Sequence, residues 1–224
     1  MDSRDLVLYN DERLLSTALG MMKALGFETG LNMSLKNSLS KIEERFDAWQ
    51  LHNDFANART FYREQTALLL DNCDIKFRIK APASIDNKLL RAKLAQQKGV
   101  FRPFEKVMND LIGLRIIVSD YSSVRDSFAL KGEEYRIVDM SEGKALDDGY
   151  RGIHVYYQQD HRHYPVELQV MTERDRVFNN WLHEHTYKIR GREDVGSRLR
   201  QLYDKDVIKS KRDFEESLDV LLNS

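Results

Sequence analysis

Residues Gly149 to Val170 read GYRGIHVYYQQDHRHYPVELQV, and the interpretation of this stretch decides the fold. Ile153, Val155 and Tyr157 alternate with His154, Tyr156 and Gln158; beyond a polar turn, Val166, Leu168 and Val170 alternate with Glu167 and Gln169. Alternation of this kind predicts half-buried strands, and two such runs across a turn predict a β-hairpin. Because strand side chains repeat every second residue, one sheet face receives the apolar set and the other receives His154, Glu167 and Gln169 together. An imidazole, a carboxylate and an amide then share one surface. A charged group on an otherwise well-patterned strand is costly if half buried, which marks this face as a candidate site; a solvent-exposed outer face is the alternative.

Working outward, DIKFRIKA (Asp74 to Ala81) alternates again, with Ile75, Phe77 and Ile79 opposite Lys76, Arg78 and Lys80. It reads as a strand with a basic face. Pro82 stops it, and Ser84 stands where a helix N-cap belongs, ahead of Ile85, Leu89 and Leu90. Arg78 and Lys80 then sit at a strand end and Lys88 one turn along the helix from Ser84, a set able to hold phosphate oxygens. Lysines guarding an exposed strand edge are the other reading. Further on, LIGLRIIVSD predicts a central strand covered on both faces, with Asp110 at its start and Arg115 embedded in it. A carboxylate there suits a metal, or a turn. Ser122 to Leu130 predicts a short helix and EYRIVDM (Glu134 to Met140) a strand, after which a loop with Lys144, Asp147 and Asp148 leads to Tyr150.

The flanks are helical. Leu14 to Leu25 and Phe55 to Leu70 predict helices, and Leu35, Leu39, Ile42, Phe46 and Trp49 predict one amphipathic stripe capped by Asn32 or Ser34. After the hairpin, Val177, Trp181 and His185 lie on one helical face and read as packing, with His183 and His185 as core or capping groups. A break at Gly191 to Gly196 precedes a last helix, Ser197 to Leu222, whose Leu199, Leu202, Val207, Phe214, Leu218 and Leu221 suit oligomerisation or intramolecular cover. Arg190, Arg192, Arg198 and Arg200 read as a solvated face, with RNA contact as the alternative, and His161 and His163 as an exposed turn rather than a metal pair. The expected organisation is N-terminal helices over 1–72, a core over 73–190 and a C-terminal helix over 191–224. The fold class is α/β of the α+β type, a mixed, mostly antiparallel sheet of about five strands flanked by helices.

Among 224 residues, 35 Lys and Arg against 36 Asp and Glu give a formal net charge of -1, so no global field draws this chain to nucleic acid or an anionic membrane. Any phosphate site must be a local cluster. The single cysteine, Cys73, excludes an internal disulfide framework and reads as a small buried hydrophobe in a reducing compartment. The acidic start, MDSRDLVLYNDERLL, does not read as a signal peptide, and no apolar run reaches the roughly 18 residues that span a bilayer. A cytoplasmic location is expected.

Three motifs in order resemble the synthetase domain of the RelA/SpoT family, in particular its small single-domain members: R-x-K-x-x-x-S-x-x-x-K at Arg78, Lys80, Ser84 and Lys88; DLIGLRI from Asp110; and GYRGIH followed by ELQV. The resemblance runs from about Asp74 to Lys188, and implies a nucleotidyltransferase-like fold that transfers the β,γ-pyrophosphate of ATP to the ribose 3′-hydroxyl of GTP or GDP. It implies that Arg78, Lys80, Ser84 and Lys88 bind ATP, that Asp110 and Glu167 hold Mg2+ with Glu167 also acting on the 3′-hydroxyl, and that Tyr150 stacks on the acceptor base while His154, Gln169 and Lys144 contact the acceptor. Small synthetases of the family often form tetramers, so a homo-oligomer is expected. No His-Asp pair occurs, so the hydrolase half of the long members is not expected. One departure stands out. Where the family carries KDYI followed by PK, this chain reads IVDMSEGKALDDGY, leaving Lys144 as the loop's cation beside Asp147 and Asp148. The acceptor is therefore open among GTP, GDP, GMP, an adenine nucleotide and the 3′ end of a tRNA as in toxin members, and a catalytically silent nucleotide- or RNA-binding regulator is the reading from another class.

Overall fold

The computed structural model describes residues 3–69, 74–129, 134–185, 189 and 192–223. Cys73 and Arg190, and the ends of the helices predicted to reach Leu70 and Leu130, lie outside these residues. The strands are β1 (Phe27–Glu28), β2 (Lys76–Ile79), β3 (Ile112–Val118), β4 (Tyr135–Asp139), β5 (Ile153–Tyr157), β6 (His163–Tyr164) and β7 (Val166–Thr172). The helices are α1 (Ser3–Ala24), α2 (Leu39–Glu43), α3 (Ala48–Leu69), α4 (Pro82–Gln97), α5 (Phe104–Val107), α6 (Ser122–Ala129), α7 (Glu173–Glu184), α8 (Glu193–Asp204) and α9 (Lys211–Asn223).

Five strands form one sheet in the order β2-β3-β7-β5-β4, in which only β3 and β7 run parallel. This is the mixed, mostly antiparallel sheet that the alternating segments predict. β3 is an interior strand, as predicted, between β2 and β7, while β7 is the middle one of the five. However, β3 is not apolar on both faces: Ile112, Leu114, Ile116 and Val118 are buried in the core, while Gly113 and Arg115 face the other way. The core face continues through Val166, Leu168 and Val170 of β7 and Ile153 and Val155 of β5, all nearly inaccessible to water. Burying such side chains stabilises a fold by roughly 1.5–3 kcal/mol each and fixes the register, since a one-residue slip would turn every one of them outward.

Two predicted features come out differently. The stretch between β5 and β7 is more than a polar turn, because His163 and Tyr164 pair with Glu28 and Phe27 in a second, two-stranded sheet. Tyr164 is buried there and its hydroxyl donates to Asp54 Oδ2 at 2.6 Å; Asp54 also accepts from Thr29 Oγ1 at 2.8 Å and from the Gly30 amide at 2.7 Å. The stripe from Leu35 to Trp49 is not one helix. Ser38 caps the short α2, and Asp47 opens α3 with a reciprocal pair in which Gln50 N donates to Asp47 Oδ1 at 2.8 Å and Asp47 N to Gln50 Oε1 at 2.9 Å. Local capping thus overrides the periodicity, and Trp49 ends 73% exposed. Tyr164→Phe removes one donor to a buried carboxylate and is expected to lower unfolding stability by about 1.5–3 kcal/mol, read from urea denaturation.

The C-terminal stretch is likewise two helices rather than one. Asp206 adopts φ 54° between them, and the Asp213 carboxylate accepts from the Lys209 and Ser210 amides at 2.9 Å to start α9. Leu199, Phe214 and Leu218 pack with Phe178 of α7 in a second core, so this stripe serves intramolecular cover, while Val207 is exposed. Arg200, read as solvated, is buried in an ion pair with Asp175 at 2.7 Å, and Arg192 donates to the Leu222 carbonyl at 2.9 Å. His185 caps α7, with Nδ1 2.9 Å from the Trp181 carbonyl. No helix of the described residues is long and apolar enough to cross a membrane.

Candidate active site

Strand register brings the polar side chains of the five strands into two adjacent rows. One row runs Lys76, Arg115, Gln169, His154, Val138, and the next runs Arg78, Gly113, Glu167, Tyr156, Arg136. Gly113 is the one position in these rows without a side chain. Its place between Arg78 and Glu167 opens a cavity of about 230 Å³ lined by Arg78, Asp110, Gly113, Arg115, Glu167 and Gln169. A neighbouring cavity of about 430 Å³ shares Arg78, Arg115 and Gln169 and adds Lys144, Tyr150 and His154. The candidate residues from three distant segments therefore converge. Burial together with the nearby Arg78 and Arg176 lowers the Arg115 pKa, although Tyr150 and Glu167 act in the opposite direction.

Glu167 is the most buried acid of the cleft, at 6% exposure. Its Oε1 accepts from the Tyr156 hydroxyl at 2.9 Å and lies 3.1 Å from His154 Nδ1, and its Oε2 accepts from Gln169 Nε2 at 2.9 Å. Burial pushes this carboxyl up, but the His154 imidazole and the Tyr156 hydroxyl outweigh it, so the pKa lies below the usual glutamate range. On the far side of the imidazole, Nε2 is 2.6 Å from the Tyr150 hydroxyl. Tyr150, His154 and Glu167 thus form one hydrogen-bonded chain. Gln169 links that chain to Arg115, because its Oε1 accepts from Arg115 at 2.8 Å while its amide nitrogen holds Glu167.

Asp110 lies between the two lysines of the basic segment, with Lys80 Nζ 2.7 Å from Oδ2 and Lys88 Nζ 2.7 Å from Oδ1. Burial again works against the charge, and the two cations overcome it to hold Asp110 below its ordinary pKa. Ser84 is not the N-cap. That place falls to Ala81, whose side chain accepts nothing, because Pro82 takes the first helical position, where its fixed φ and missing N–H suit it. Ser84 lies in the first turn of α4, four residues before Lys88.

In the loop before Tyr150 the two aspartates are already neutralised. Arg151 makes a bidentate pair with Asp147 at 2.7 and 2.9 Å, which lowers the Asp147 pKa, and Lys144 holds Asp148 at 2.6 Å while lying 5.0 Å above the Tyr150 ring. Read from sequence, Asp147 and Asp148 would repel an acceptor phosphate; here each has a cation. Asn179 of α7 fixes the turn, donating to the Arg151 carbonyl at 2.6 Å and accepting from its amide at 3.2 Å.

No three His, Cys, Asp or Glu side chains converge as a metal cage among the described residues, and His163 is engaged with Asp160 at 2.8 Å. Magnesium asks for less, since one or two carboxylates, water and substrate phosphates complete its octahedron. Asp110 and Glu167 fit that requirement as hard oxygen donors lining one cavity and held ionised.

Four contributors escape the motif reading: Gly113, Tyr156, Arg136 and Asn179. Tyr156 was visible as the residue alternating with His154, but its contact with Glu167 needs the β5–β7 register. Tyr156→Phe keeps the ring and removes the donor; kcat of the reaction proposed below is expected to fall roughly tenfold with the KM for ATP unchanged, in steady-state kinetics.

The sequence matches the profile of the region found in RelA / SpoT proteins over residues 77–192. No curated protein matches by sequence comparison. Among solved structures, the chain is similar to the small alarmone synthetase 2 of Bacillus subtilis, at 19% identity over 78% of this chain and 99% of that one, with a TM-score of 0.45. It is also similar to a GTP pyrophosphokinase family protein of Streptococcus pneumoniae, at 19% identity over 78% and 98% with a TM-score of 0.43. The small alarmone synthetase 1 of Bacillus subtilis, bound to its product pppGpp, shares 25% identity over 65% and 76%, with a TM-score of 0.39.

Proposed function

Because this chain belongs to the RelA/SpoT family, whose characteristic region spans residues 77–192, we propose that it is an alarmone synthetase that transfers the β,γ-pyrophosphate of ATP to the ribose 3′-hydroxyl of GTP or GDP. The observation that carries this reading is the row Arg78, Gly113, Glu167, with Asp110 lining the same cavity. Guanidinium, vacant space and two ionised carboxylates suit a triphosphate lying beside a hydroxyl that must be oriented.

In the reaction the acceptor 3′-oxygen bonds to the β-phosphorus of ATP, the bond from that phosphorus to the oxygen bridging α and β breaks, AMP leaves, and the hydroxyl proton passes to water. Arg78, Lys80 and Lys88 bind the donor phosphates, Ser84 completes that segment, and the two lysines move from or share Asp110 as phosphate arrives. Glu167 orients and polarises the 3′-hydroxyl. Its lowered pKa makes it a weak proton acceptor and a good anionic anchor, so most of its effect is positional. Magnesium, held by Asp110 and Glu167, would supply neutralisation of the phosphate charge. Tyr150 stacks on the acceptor base, a contact worth about 1–3 kcal/mol. His154 keeps Tyr150 and Glu167 in register from its two ring nitrogens, and Gln169 fixes the other carboxylate oxygen. With Asp147 and Asp148 paired to Arg151 and Lys144, the loop no longer argues against a phosphorylated acceptor.

The test is transfer of label. The protein is incubated with magnesium and γ-labelled ATP plus GMP, GDP, GTP, ATP or bulk tRNA in parallel. Label moving to a guanine nucleotide supports the proposal. Label moving only to tRNA or adenine nucleotide replaces it with the toxin-type activity, and tight nucleotide binding without transfer replaces it with a silent regulator.

A further inference from the structure

Several cations stand on or against β4 and the loop that follows it, but most are engaged with carboxylates. Lys144 is paired with Asp148, Arg151 with Asp147, and Arg125 with Asp139 at 2.8 Å and Glu142 at 3.0 Å. Arg136 differs. It ends the row that holds Glu167, it is exposed, and among the described residues it has no carboxylate partner. Its guanidinium carbon lies 3.9 Å from the centroid of the Tyr156 ring, the same residue whose hydroxyl donates to Glu167. Stacking on an aromatic face holds a guanidinium in place while leaving its N–H edge available for hydrogen bonds.

The row is also nearly symmetric about the reacting centre. Glu167 on β7 has Arg78 two strands away in one direction and Arg136 two strands away in the other, each roughly 10 Å off at ordinary strand spacing. A reaction that joins two phosphorylated molecules needs a cation for each. Arg78 lines the cavity assigned above to the donor and its neighbour, and Arg136 stands at the opposite end of the row, where a second anion would find a guanidinium.

We propose that Arg136 binds the phosphate carried by the acceptor nucleotide, anchored for that purpose on Tyr156. The inference rests on the reading of this cleft as a nucleotide synthetase, and it narrows the acceptor to a nucleoside bearing its own phosphate.

Equilibrium binding separates the inference from the activity. Wild type, Arg136→Ala and Arg136→Lys are titrated by calorimetry with guanosine, GMP and GDP in magnesium without ATP, and separately with a non-hydrolysable ATP analogue. Wild type is expected to prefer GDP to guanosine. Arg136→Ala is expected to weaken GDP roughly tenfold to a hundredfold, to leave guanosine and the ATP analogue unchanged, and to be partly rescued in Arg136→Lys. Absence of any phosphate preference in wild type, equal weakening of guanosine and GDP, or no weakening at all would overturn the assignment. If Arg136→Ala fails to fold, Arg136→Gln takes its place in the same titrations. Dependence of GDP binding on Arg136 without label transfer would keep Arg136 as a nucleotide-phosphate ligand and remove the synthetase reading, and with it the word acceptor; transfer with GDP affinity independent of Arg136 would keep the synthetase and overturn the assignment of Arg136.

Discussion

Glu167→Gln is expected to lower kcat for transfer of label from ATP to a guanine nucleotide by about a thousandfold or more, with nucleotide affinities changed by less than about threefold. The substitution preserves shape and removes the charge. The glutamine oxygen can still accept from Tyr156, so the buried position keeps a partner and the fold is retained. What disappears is the anion that His154, Tyr156 and Gln169 hold in place, and with it, in the proposed reaction, both the orientation of the 3′-hydroxyl and one of the two oxygen ligands suited to magnesium. Asp110→Asn tests the other carboxylate apart from that chain, because Asp110 touches Lys80 and Lys88 but none of Tyr150, His154 and Glu167. A Glu167→Gln enzyme working within tenfold of wild type would show that the most buried acid of the cleft is structural.

The parts of this site legible in the sequence are those where side-chain period and sheet face coincide. His154, Glu167 and Gln169 fall on one face because a strand repeats every second residue, and the register then places His154 against Gln169. The basic segment was equally readable, since Arg78 and Lys80 flank a strand end that Pro82 closes. Cross-strand neighbours were not. EYRIVDM predicts a strand but says nothing of its partner, so Arg136 joins Tyr156 and Glu167 only once β4 is seen to pair with β5. Helix starts differ from the sequence pattern where two capping solutions compete. Ser84 looked like a cap because its side chain can accept a hydrogen bond, but proline at the first helical position moved the boundary to Ala81. Ser38 and Asp47 likewise divided an apolar stripe that periodicity alone would run together. Pairing of Phe27 with Tyr164 lies beyond local reading for another reason, since two-residue strands carry no period.

Gly196→Ala is expected to destabilise the protein by about 1–3 kcal/mol and to raise the KM for the acceptor about tenfold, leaving the KM for ATP unchanged. Helix propensity alone predicts the opposite sign, since replacing a glycine inside a helix by alanine ordinarily stabilises by roughly 0.5–1 kcal/mol. Gly196 is inside α8, but a Cβ there would sit 2.1 Å from the Asp148 carbonyl oxygen and 2.8 Å from its carbon. Those atoms are backbone and have no flexible end to swing aside. The approach is reciprocal: a Cβ on Gly149, whose φ of +88° already disfavours a side chain, would meet the Gly196 carbonyl oxygen at 2.4 Å. The loop that carries Lys144, Asp147 and Asp148 therefore rests directly on α8, and Ser197 of α8 reaches Asp147 across the same contact. Pushing that loop away displaces Tyr150, which follows it immediately, whereas the cations around Asp110 stand just after β2 and on α4 and feel nothing. Urea denaturation reads the sign of the stability change, and steady-state kinetics with each substrate varied reads the split. A stabilised Gly196→Ala variant with both KM values intact would mean that α8 does not hold the acceptor loop and that the C-terminal hairpin is mere cover for α7.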